Sequence, residues 1–176
     1  MKRFEEVKGI AAGNFGIITA SQAREIGVLR PQLSRWVKMG WLEHTTRGVY
    51  RVADYPPSEY DYYVIAVERV GEKARLYGES VLAMLNLTST SPKEFRIGVP
   101  GRIRRNFDTG YSVRSVPEDE PIEYYEGVRC QPLVEAIRTS EESVVPGRRL
   151  EAAENAFKGG YIGKRELKML KKEIRR

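Results

Sequence analysis

Apolar residues recur at a spacing of three or four near the start of the chain, at Phe4, Val7, Ile10 and Ala11. This spacing predicts a short first helix over residues 3–12, which Gly13 ends. In the stretch "ASQAREIG" the apolar positions again share one face, Thr19 is suited to the N-cap, and Gly27 follows the last turn. We therefore expect a second, shorter helix that closes in a tight turn.

A third helix is predicted between Pro31 and Gly40. Proline is tolerated in the first turn of a helix, where its missing N–H has no partner to lose, and glycine commonly follows the last turn. At about 100° per residue one side of this helix is apolar, with Leu33, Trp36, Val37 and Met39. The other side is polar and basic, with Ser34, Arg35 and Lys38, and with Gln32 at the border. The helix should have one anchored face and one free basic face.

The next residues, "WLEHTTRGVYRV", predict a β-hairpin. Residues 41–42 and 49–50 read as two short strands around a turn at residues 45–48 that contains a glycine. A hairpin directly after the third helix corresponds to the wing of a winged helix-turn-helix. The following "DYPPSEY" has two prolines among polar residues, which is typical of a linker between domains. We therefore expect one domain over residues 1–55 and a second over residues 56–176.

The second domain begins with two segments of helical spacing, "EYDYYVIAVERV" and "YGESVLAMLNL". The pattern then changes to the alternation of strands in "EFRIGV", "YSVRSV" and "IEYYEGVRC". Helical spacing returns in "PLVEAIRTS", "GRRLEAAENAF" and "GKRELKMLKKEIRR". The predicted fold is a two-domain α+β fold, with an N-terminal winged helix-turn-helix followed by a mixed α/β domain.

Composition adds a partner class to this picture. The chain has 176 residues, a mean hydropathy of -0.48 and a formal net charge of +6. Residues 1–55 and 132–176 each carry a net charge of +4, whereas residues 56–131 carry -2. A basic excess at both ends favours a polyanionic partner. With two acids near the start, no long apolar run and one cysteine, the chain should be cytosolic, with no membrane segment and no disulfide.

The predicted helix-turn-helix suggests that this partner is double-stranded DNA, since the third helix of such a fold enters the major groove. On this hypothesis Ser34, Arg35 and Lys38 face the groove, and Gln32 reaches an adenine edge or a phosphate. Arg30 lies near the DNA backbone, and the wing contributes Arg47 and Arg51 to phosphate or minor-groove contacts. The alternatives are a solvated face, which is the default for a surface helix, and a protein partner.

The stretch "GIITASQAREIGVLRPQLSRWVKMGWLEHTTRGVYRV" resembles the N-terminal winged helix of the AbiEi family, the antitoxin component of type IV toxin-antitoxin systems. Three later segments, "RLYGESVLAMLNL", "EFRIGVPGRIRR" and "RCQPLVEAIRTS", resemble the helix, the strand and the closing segment of the family's antitoxin domain. The chain departs from the family pattern at residues 77–80, where a His commonly precedes the serine, and at residues 131–133, which lack the usual Arg and Thr. These departures concern the surface of the C-terminal domain more than its fold.

The resemblance implies an antitoxin that also represses its own operon. The winged helix would bind repeats in the protein's own promoter, and the C-terminal domain would counter a nucleotidyltransferase-like toxin; no toxin-contact residue is marked by a local motif. Binding of one protomer to each repeat and binding of a dimer are equally compatible with the sequence. The alternative functions are a winged-helix transcription factor with a ligand-binding or dimerisation domain, and a nucleic-acid enzyme.

The sequence offers little material for catalysis, for a metal or for a cofactor. A nucleotidyltransferase site would need two carboxylates, but the matching positions are Glu94 and Arg96, and arginine does not bind metal. His44, the sole histidine, has no second ligand nearby, and Cys130 is expected to be a buried structural thiol. Two further basic clusters are the loop from Arg102 to Arg105 and the C-terminal amphipathic helix. We expect the latter to dock through Leu167, Leu170 and Ile174, with extra phosphate contact or an interface to an acidic toxin or RNA as the alternatives.

Overall fold

The computed structural model describes residues 2–175. Its internal contacts divide the chain into two units, residues 1–72 and 73–176. The proline pair at residues 56–57 therefore lies within the first unit rather than between the units. The helix after the prolines groups with the N-terminal unit because it packs against the N-terminal sheet.

The first unit contains four helices and three strands. In chain order they are α1 (Lys2–Ala12), β1 (Ile17–Thr19), α2 (Ala20–Glu25), α3 (Arg30–Lys38), β2 (Leu42–Thr46), β3 (Val49–Val52) and α4 (Asp61–Val70). The helices predicted at the start of the chain and the hairpin after α3 are thus confirmed. The hairpin strands are longer than expected, and the turn between them is reduced to Arg47-Gly48. The sequence pattern did not predict β1, because its three residues are too few to show alternation.

Two local features explain where α2 and α3 begin. The Thr19 hydroxyl accepts a hydrogen bond from the Gln22 N–H at 3.2 Å, and the Gln22 side chain accepts one from the Thr19 N–H at 2.8 Å. This reciprocal pair is a capping box, and it satisfies two backbone donors at the start of α2. Pro31 lies in the first turn of α3, and Gly27 and Gly40 adopt positive φ angles of 77° and 73° after α2 and α3.

The three strands form an antiparallel sheet in the order β1-β3-β2. With α2, α3 and the β2–β3 hairpin, this is the element order of a winged helix-turn-helix. The core lies between the sheet and the first three helices and contains Val7, Ala11, Ile18, Ala23, Val28, Leu33, Trp36, Leu42 and Val52. An aromatic contact closes one side, where the Phe4 ring lies 5.2 Å from Trp36 and 4.8 Å from Trp41. The position of α3 is therefore held by aromatic and aliphatic packing.

A hydrogen bond and an aromatic contact link α4 and the residue before it to the rest of the first unit. The Asn14 amide donates to the Glu68 carboxylate at 3.0 Å, and the Phe15 and Tyr60 rings meet edge to face at 6.4 Å. In the first turn of α4, Tyr62 is 76% exposed. The buried face is formed instead by Val64, Ala66, Val67 and Val70.

The second unit contains five strands and four helices. They are β4 (Arg75–Leu76), α5 (Glu79–Met84), β5 (Phe95–Pro100), β6 (Tyr111–Val116), β7 (Glu123–Tyr125), β8 (Val128–Cys130), α6 (Leu133–Thr139), α7 (Pro146–Lys158) and α8 (Lys164–Ile174). A short 3-10 turn over Ser140–Glu142 separates α6 from α7. The predicted mixed α/β unit is confirmed, although β4 was missed because two residues carry no periodic signal.

The five strands form one mixed sheet in the order β6-β5-β4-β8-β7. The pairs β5–β6 and β4–β8 are parallel, and β4–β5 and β7–β8 are antiparallel. Because neighbouring parallel strands need a crossover between them, residues 101–110 must pass from the end of β5 back to the start of β6. The basic loop from Arg102 to Arg105 is part of that crossover.

The helix α8 docks as predicted through Leu170 and Ile174, which are buried, with Leu167 half-buried beside them. Two ion pairs hold its polar edge. The Lys171 ammonium lies 2.6 Å from the Glu154 carboxylate of α7, and the Arg138 guanidinium of α6 lies 2.8 Å from the Glu173 carboxylate. Apolar packing and ion pairing thus act together at the end of the chain.

Candidate nucleic-acid interface

The helix α3 has the two faces that its sequence predicts, with one exception. Leu33 is fully buried, Trp36 is 6% exposed and Val37 is half-buried. Met39, which we expected on the anchored side, is 45% exposed, so that expectation was wrong. It lies roughly 60° from Trp36 around the helix axis, just after the last residue of α3.

The opposite face of α3 carries uncompensated positive charge. Ser34, Arg35 and Lys38 are exposed, and Gln32 is half-buried. The segment Arg30–Lys38 contains no acidic residue, and within residues 2–175 no ion pair engages its three cations. Over the described residues, the face therefore combines cations outside any ion pair with an amide and a hydroxyl that can donate and accept hydrogen bonds, which is the chemistry of base-edge and phosphate recognition.

Arg30 lies at the corner between α2 and α3, apart from the middle of the exposed face. It lines a hollow of about 440 Å³ together with Ala20, Ser21, Arg24, Val28 and Leu29. We call this the corner hollow. Ser21 and Arg24 are both exposed, and neither was among the residues predicted from the sequence. Helical spacing did not single them out, because Arg24 follows Ala20 by four residues and so lies on the same side of α2.

A second hollow, of about 340 Å³, flanks α3 on the side of α1. It is lined by Lys2, Arg3, Gln32, Arg35, Trp36, Met39 and Trp41. The Arg3 guanidinium is held in place because it donates to the Ile26 carbonyl at 2.6 Å and pairs with Glu6 at 3.1 Å. Lys2 and Arg3 thus extend the basic surface beyond α3. No local pattern could identify them, because they reach α3 only through the packing of α1.

Arg47 lies in the hairpin turn and is exposed. The following Gly48 has a φ of 77°, and its carbonyl accepts a hydrogen bond from the Ala20 N–H at 2.8 Å. This bond fixes the turn against the first residue of α2. Arg47 is therefore presented from a short, anchored wing that adjoins the helix-turn-helix.

Arg51 has a different environment from the other predicted site residues. Its side chain is only 12% exposed and lies 3.5 Å from the Asp61 carboxylate and 3.7 Å from the Glu43 carboxylate. It also donates to the Tyr55 carbonyl at 2.8 Å. The guanidinium thus links β3 to β2 and to the start of α4. Sequence spacing could not reveal this, because Asp61 is brought near by the fold of residues 53–60.

The residues weighed for catalysis are dispersed. His44 is exposed on β2, where its ring lies 5.1 Å from that of Tyr50. Glu94 is exposed, whereas Arg96 lies 3.7 Å from the Glu79 carboxylate. Cys130 is fully buried, as predicted, and burial raises the pKa of its thiol far above the ordinary value.

Two further basic surfaces belong to the second unit. Arg102, Arg104 and Arg105 are exposed in the crossover loop, where the Arg105 guanidinium lies 5.3 Å from the centre of the Phe107 ring. The outer face of α8 exposes Lys164, Arg165, Lys168, Lys172 and Arg175. Among the helices of residues 2–175, none is long and apolar enough to cross a membrane.

Comparison with known proteins bears on the N-terminal unit. No curated protein matches the chain. The crystal structure of the RV2827C protein from Mycobacterium tuberculosis is 13% identical over 97% of this chain and 81% of that chain, with a TM-score of 0.40. That similarity is too low to carry an argument.

The family model described as "Transcriptional regulator, AbiEi antitoxin" matches residues 5–53. The matched segment runs from α1 to just beyond β3 and contains α3 and the wing. It agrees with the resemblance found in the sequence. Over residues 5–53, this chain is therefore similar to the transcriptional regulators of the AbiEi antitoxin family.

Proposed function

We propose that this protein is an antitoxin that binds its own promoter DNA as an autorepressor and counteracts a nucleotidyltransferase-like toxin. The observation that carries the DNA-binding part is the exposed face of α3. The segment Arg30–Lys38 has three cations, no acid and no ion pair among the described residues, and it lies inside the segment that matches a transcriptional-regulator family.

In the proposed complex the N-terminal half of α3 enters the major groove of double-stranded DNA. Ser34, Arg35 and Lys38 face the base edges and adjacent phosphates, and Gln32 pairs with an adenine edge or a phosphate. Arg30 and Arg47 contact the backbone from the two sides of the helix-turn-helix. Phosphate contacts would set the orientation, and the side chains in the groove would select the sequence.

Arg51 has a supporting role in this proposal. Its guanidinium is occupied by Glu43, Asp61 and the Tyr55 carbonyl, so it is not free to reach a phosphate. It would instead keep the wing strands and α4 in register behind Arg47. An Arg51 substitution should therefore weaken DNA binding through the folding of the first unit rather than through the loss of a phosphate interaction.

The test of DNA binding is a mobility shift on the protein's own upstream DNA, with an unrelated duplex of the same length beside it. Arg35→Ala plus Lys38→Ala should lose about 1 to 3 kcal/mol for each specific base interaction that is removed. Lys73→Ala plus Lys93→Ala is the control, because both lysines are exposed in the second unit and the change in net charge is the same. Equal binding by the wild type and the α3 double variant would refute α3 as the reading helix.

The antitoxin part of the proposal rests on the second unit. The segments that resemble the family's antitoxin domain form β4 with α5, β5 with the crossover loop, and β8 with α6, so they make up the centre of one sheet and two helices packed near it. No catalytic role is included. A Glu94 carboxylate exposed beside an Arg96 already paired with Glu79 is not a metal site.

Co-expression tests this part. The product of the gene directly downstream should arrest growth when expressed alone, and co-expression of the full chain should restore growth. The α3 double variant, expressed from a foreign promoter, should restore it equally well, because the second unit is unchanged. Failure to restore growth with intact promoter binding would favour the alternative, a transcription factor whose second domain binds a ligand or dimerises.

A further inference from the structure

Neither the start of α3 nor the core of the first unit explains why residue 29 is a leucine. It is the N-cap of α3, with φ -95° and ψ 162°, and its side chain makes no capping hydrogen bond. Only its carbonyl contributes to the helix start, accepting from the Gln32 N–H at 3.0 Å and the Leu33 N–H at 3.2 Å. Ser, Thr, Asp and Asn are favoured at an N-cap because their side chains accept a further bond, and leucine is among the least suitable residues there.

The core does not use this side chain either. Leu29 is 60% exposed, whereas Val28 before it and Leu33 after it are 1% and 0% exposed. An isolated exposed leucine is ordinary on a protein surface. An exposed leucine that also displaces a helix cap is a local conflict, and such conflicts concentrate where function selects the residue.

The surroundings of Leu29 match one feature of DNA. In the corner hollow Leu29 adjoins Ser21, Arg24 and Arg30, so that a single apolar side chain lies among two cations and a hydroxyl. Arg24 and Arg30 take part in no ion pair within residues 2–175. The floor of the major groove has one apolar group, the C5-methyl of thymine, and charged phosphates line its edges.

We infer that Leu29 contacts the C5-methyl group of a thymine in the operator, while Arg24 and Arg30 contact the phosphates beside it. The inference rests on the proposed function, since it requires that α3 enters the major groove. It assigns a sequence preference to a residue that has no hydrogen-bonding group. The corner between α2 and α3 would then recognise a base in addition to contacting phosphates.

Replacement of thymine by deoxyuridine tests this contact, because the two bases differ only in the methyl group. Thymines in the footprinted upstream site are replaced one at a time, and affinities are measured by fluorescence anisotropy. For the wild type, at least one replacement should weaken binding roughly fourfold, the factor that corresponds to burial of one methyl-sized group. For Leu29→Ala, binding to the unmodified site should fall by a similar factor, and that same replacement should have no further effect.

Two further variants separate reading from folding. Leu29→Ser should raise the midpoint of thermal unfolding, because its hydroxyl can accept from the Gln32 N–H, and should still lose the discrimination between thymine and deoxyuridine. Met39→Ala is the matched control, since Met39 is 45% exposed just beyond the other end of α3. It should keep the discrimination.

Two outcomes would overturn the inference alone. One is a wild-type protein that binds the site but tolerates every deoxyuridine replacement, and the other is a Leu29→Ala variant that keeps the discrimination. A wild-type protein that does not bind its upstream DNA would instead remove the proposed function and the inference with it.

Discussion

The helices α3 and α8 both dock through an apolar stripe and both leave cations exposed. They differ in whether ion pairs contribute to docking and in which polar side chains lie beside the exposed cations. In α3, Leu33 and Trp36 are buried, and within residues 2–175 no ion pair takes part in docking. In α8, Leu170 and Ile174 are buried, and ion pairs to Glu154 and Arg138 flank them. Apolar packing therefore docks α3, whereas apolar packing and ion pairs together dock α8.

The acidic residues of the two helices explain the second difference. α3 has none, and its outer face mixes Arg35 and Lys38 with Ser34 and Gln32. α8 has two, but both are engaged by the protein itself, since Glu166 accepts from the Gly163 N–H at 2.6 Å and Glu173 pairs with Arg138. What remains outside on α8 is a mainly lysine and arginine surface with the exposed Met169 beside it, and without an amide or a hydroxyl. Such a surface attracts polyanions through a charge term that does not depend on base sequence.

The largest effect is expected from the aromatic anchor of α3. Trp36→Ala removes a nearly buried indole that contacts Phe4 and should destabilise the first unit by about 3 to 5 kcal/mol. Denaturant unfolding followed by Trp41 fluorescence measures it, because both tryptophans of the chain lie in this unit. Met39→Ala, on an exposed neighbour, should change stability by less than about 0.5 kcal/mol. A small effect of Trp36→Ala would mean that α3 is not held by this packing.

The next largest effect concerns specificity. Arg35→Ala plus Lys38→Ala should lower the ratio of operator affinity to unrelated-duplex affinity by about tenfold or more, since a specific contact is worth about 1 to 3 kcal/mol. Lys168→Ala plus Lys172→Ala on α8 should leave that ratio unchanged. If these lysines bind phosphates, the slope of log affinity against log salt falls by about 0.9 for each phosphate released, on both duplexes alike. Titrations at several salt concentrations measure both the affinity ratio and the salt slope. A reduced affinity ratio for the α8 double variant would contradict the proposed difference between α3 and α8.

A smaller effect is expected at the cap that positions α2 beneath α3. Thr19→Ala removes the hydroxyl that accepts from the Gln22 N–H and should cost about 1 kcal/mol. Thr19→Ser keeps the hydroxyl and should retain most of that stability. The same fluorescence-monitored unfolding measures both variants. Equal stability of the alanine and serine variants would show that the capping box contributes little.

Acid should produce the smallest effect, and it should act on α8 rather than α3. The Lys171 ammonium, through a hydrogen bond and its charge, holds the pKa of Glu154 below the ordinary value of 4.5. A carboxylate with a lowered pKa in the folded state stabilises the protein above pH 4.5, and this contribution is lost as the pH falls through the folded-state pKa. Residues 164–174 should therefore lose protection from hydrogen exchange below that pH, after correction for intrinsic rates, while residues 30–38 keep theirs.

Glu154→Gln provides the control for this effect. The variant lacks the titrating carboxylate, so its α8 should be less protected at neutral pH and should change less on acidification. If the wild type and Glu154→Gln lose protection in parallel, a different group is responsible for the acid response.

An element of this fold could be predicted when its sequence signal lies within a few neighbouring residues. The Thr19 N-cap of α2, the proline of α3 and the Gly48 turn act within four residues, and all three were predicted from the sequence. The strands β1 and β4 were not, because two or three residues form a strand only when a distant partner supplies hydrogen bonds. For the same reason the sequence could not show that α4, although it follows two prolines, groups with the first unit. That grouping depends on contacts with strands far away in the chain.

The candidate site divides in the same way. Periodicity alone placed Ser34, Arg35 and Lys38 on the outer face of α3, because the helix period decides which side chains share a side. It could not show that Met39 lies outside the anchored face or that Arg51 is enclosed by Glu43 and Asp61. Those facts depend on which elements cover a residue.

The sequence by itself determined the order of the first three helices and the hairpin after them, and the basic character of α3, since composition and short-range periodicity are properties of the chain. Only the tertiary structure decided which cations are left without a partner. Within residues 2–175, Arg51, Lys171 and Arg138 are engaged by carboxylates from other elements, whereas Arg35 and Lys38 are not. A charge becomes available to a ligand only when the fold brings no opposite charge to it, and that is settled by contacts between residues far apart in the chain.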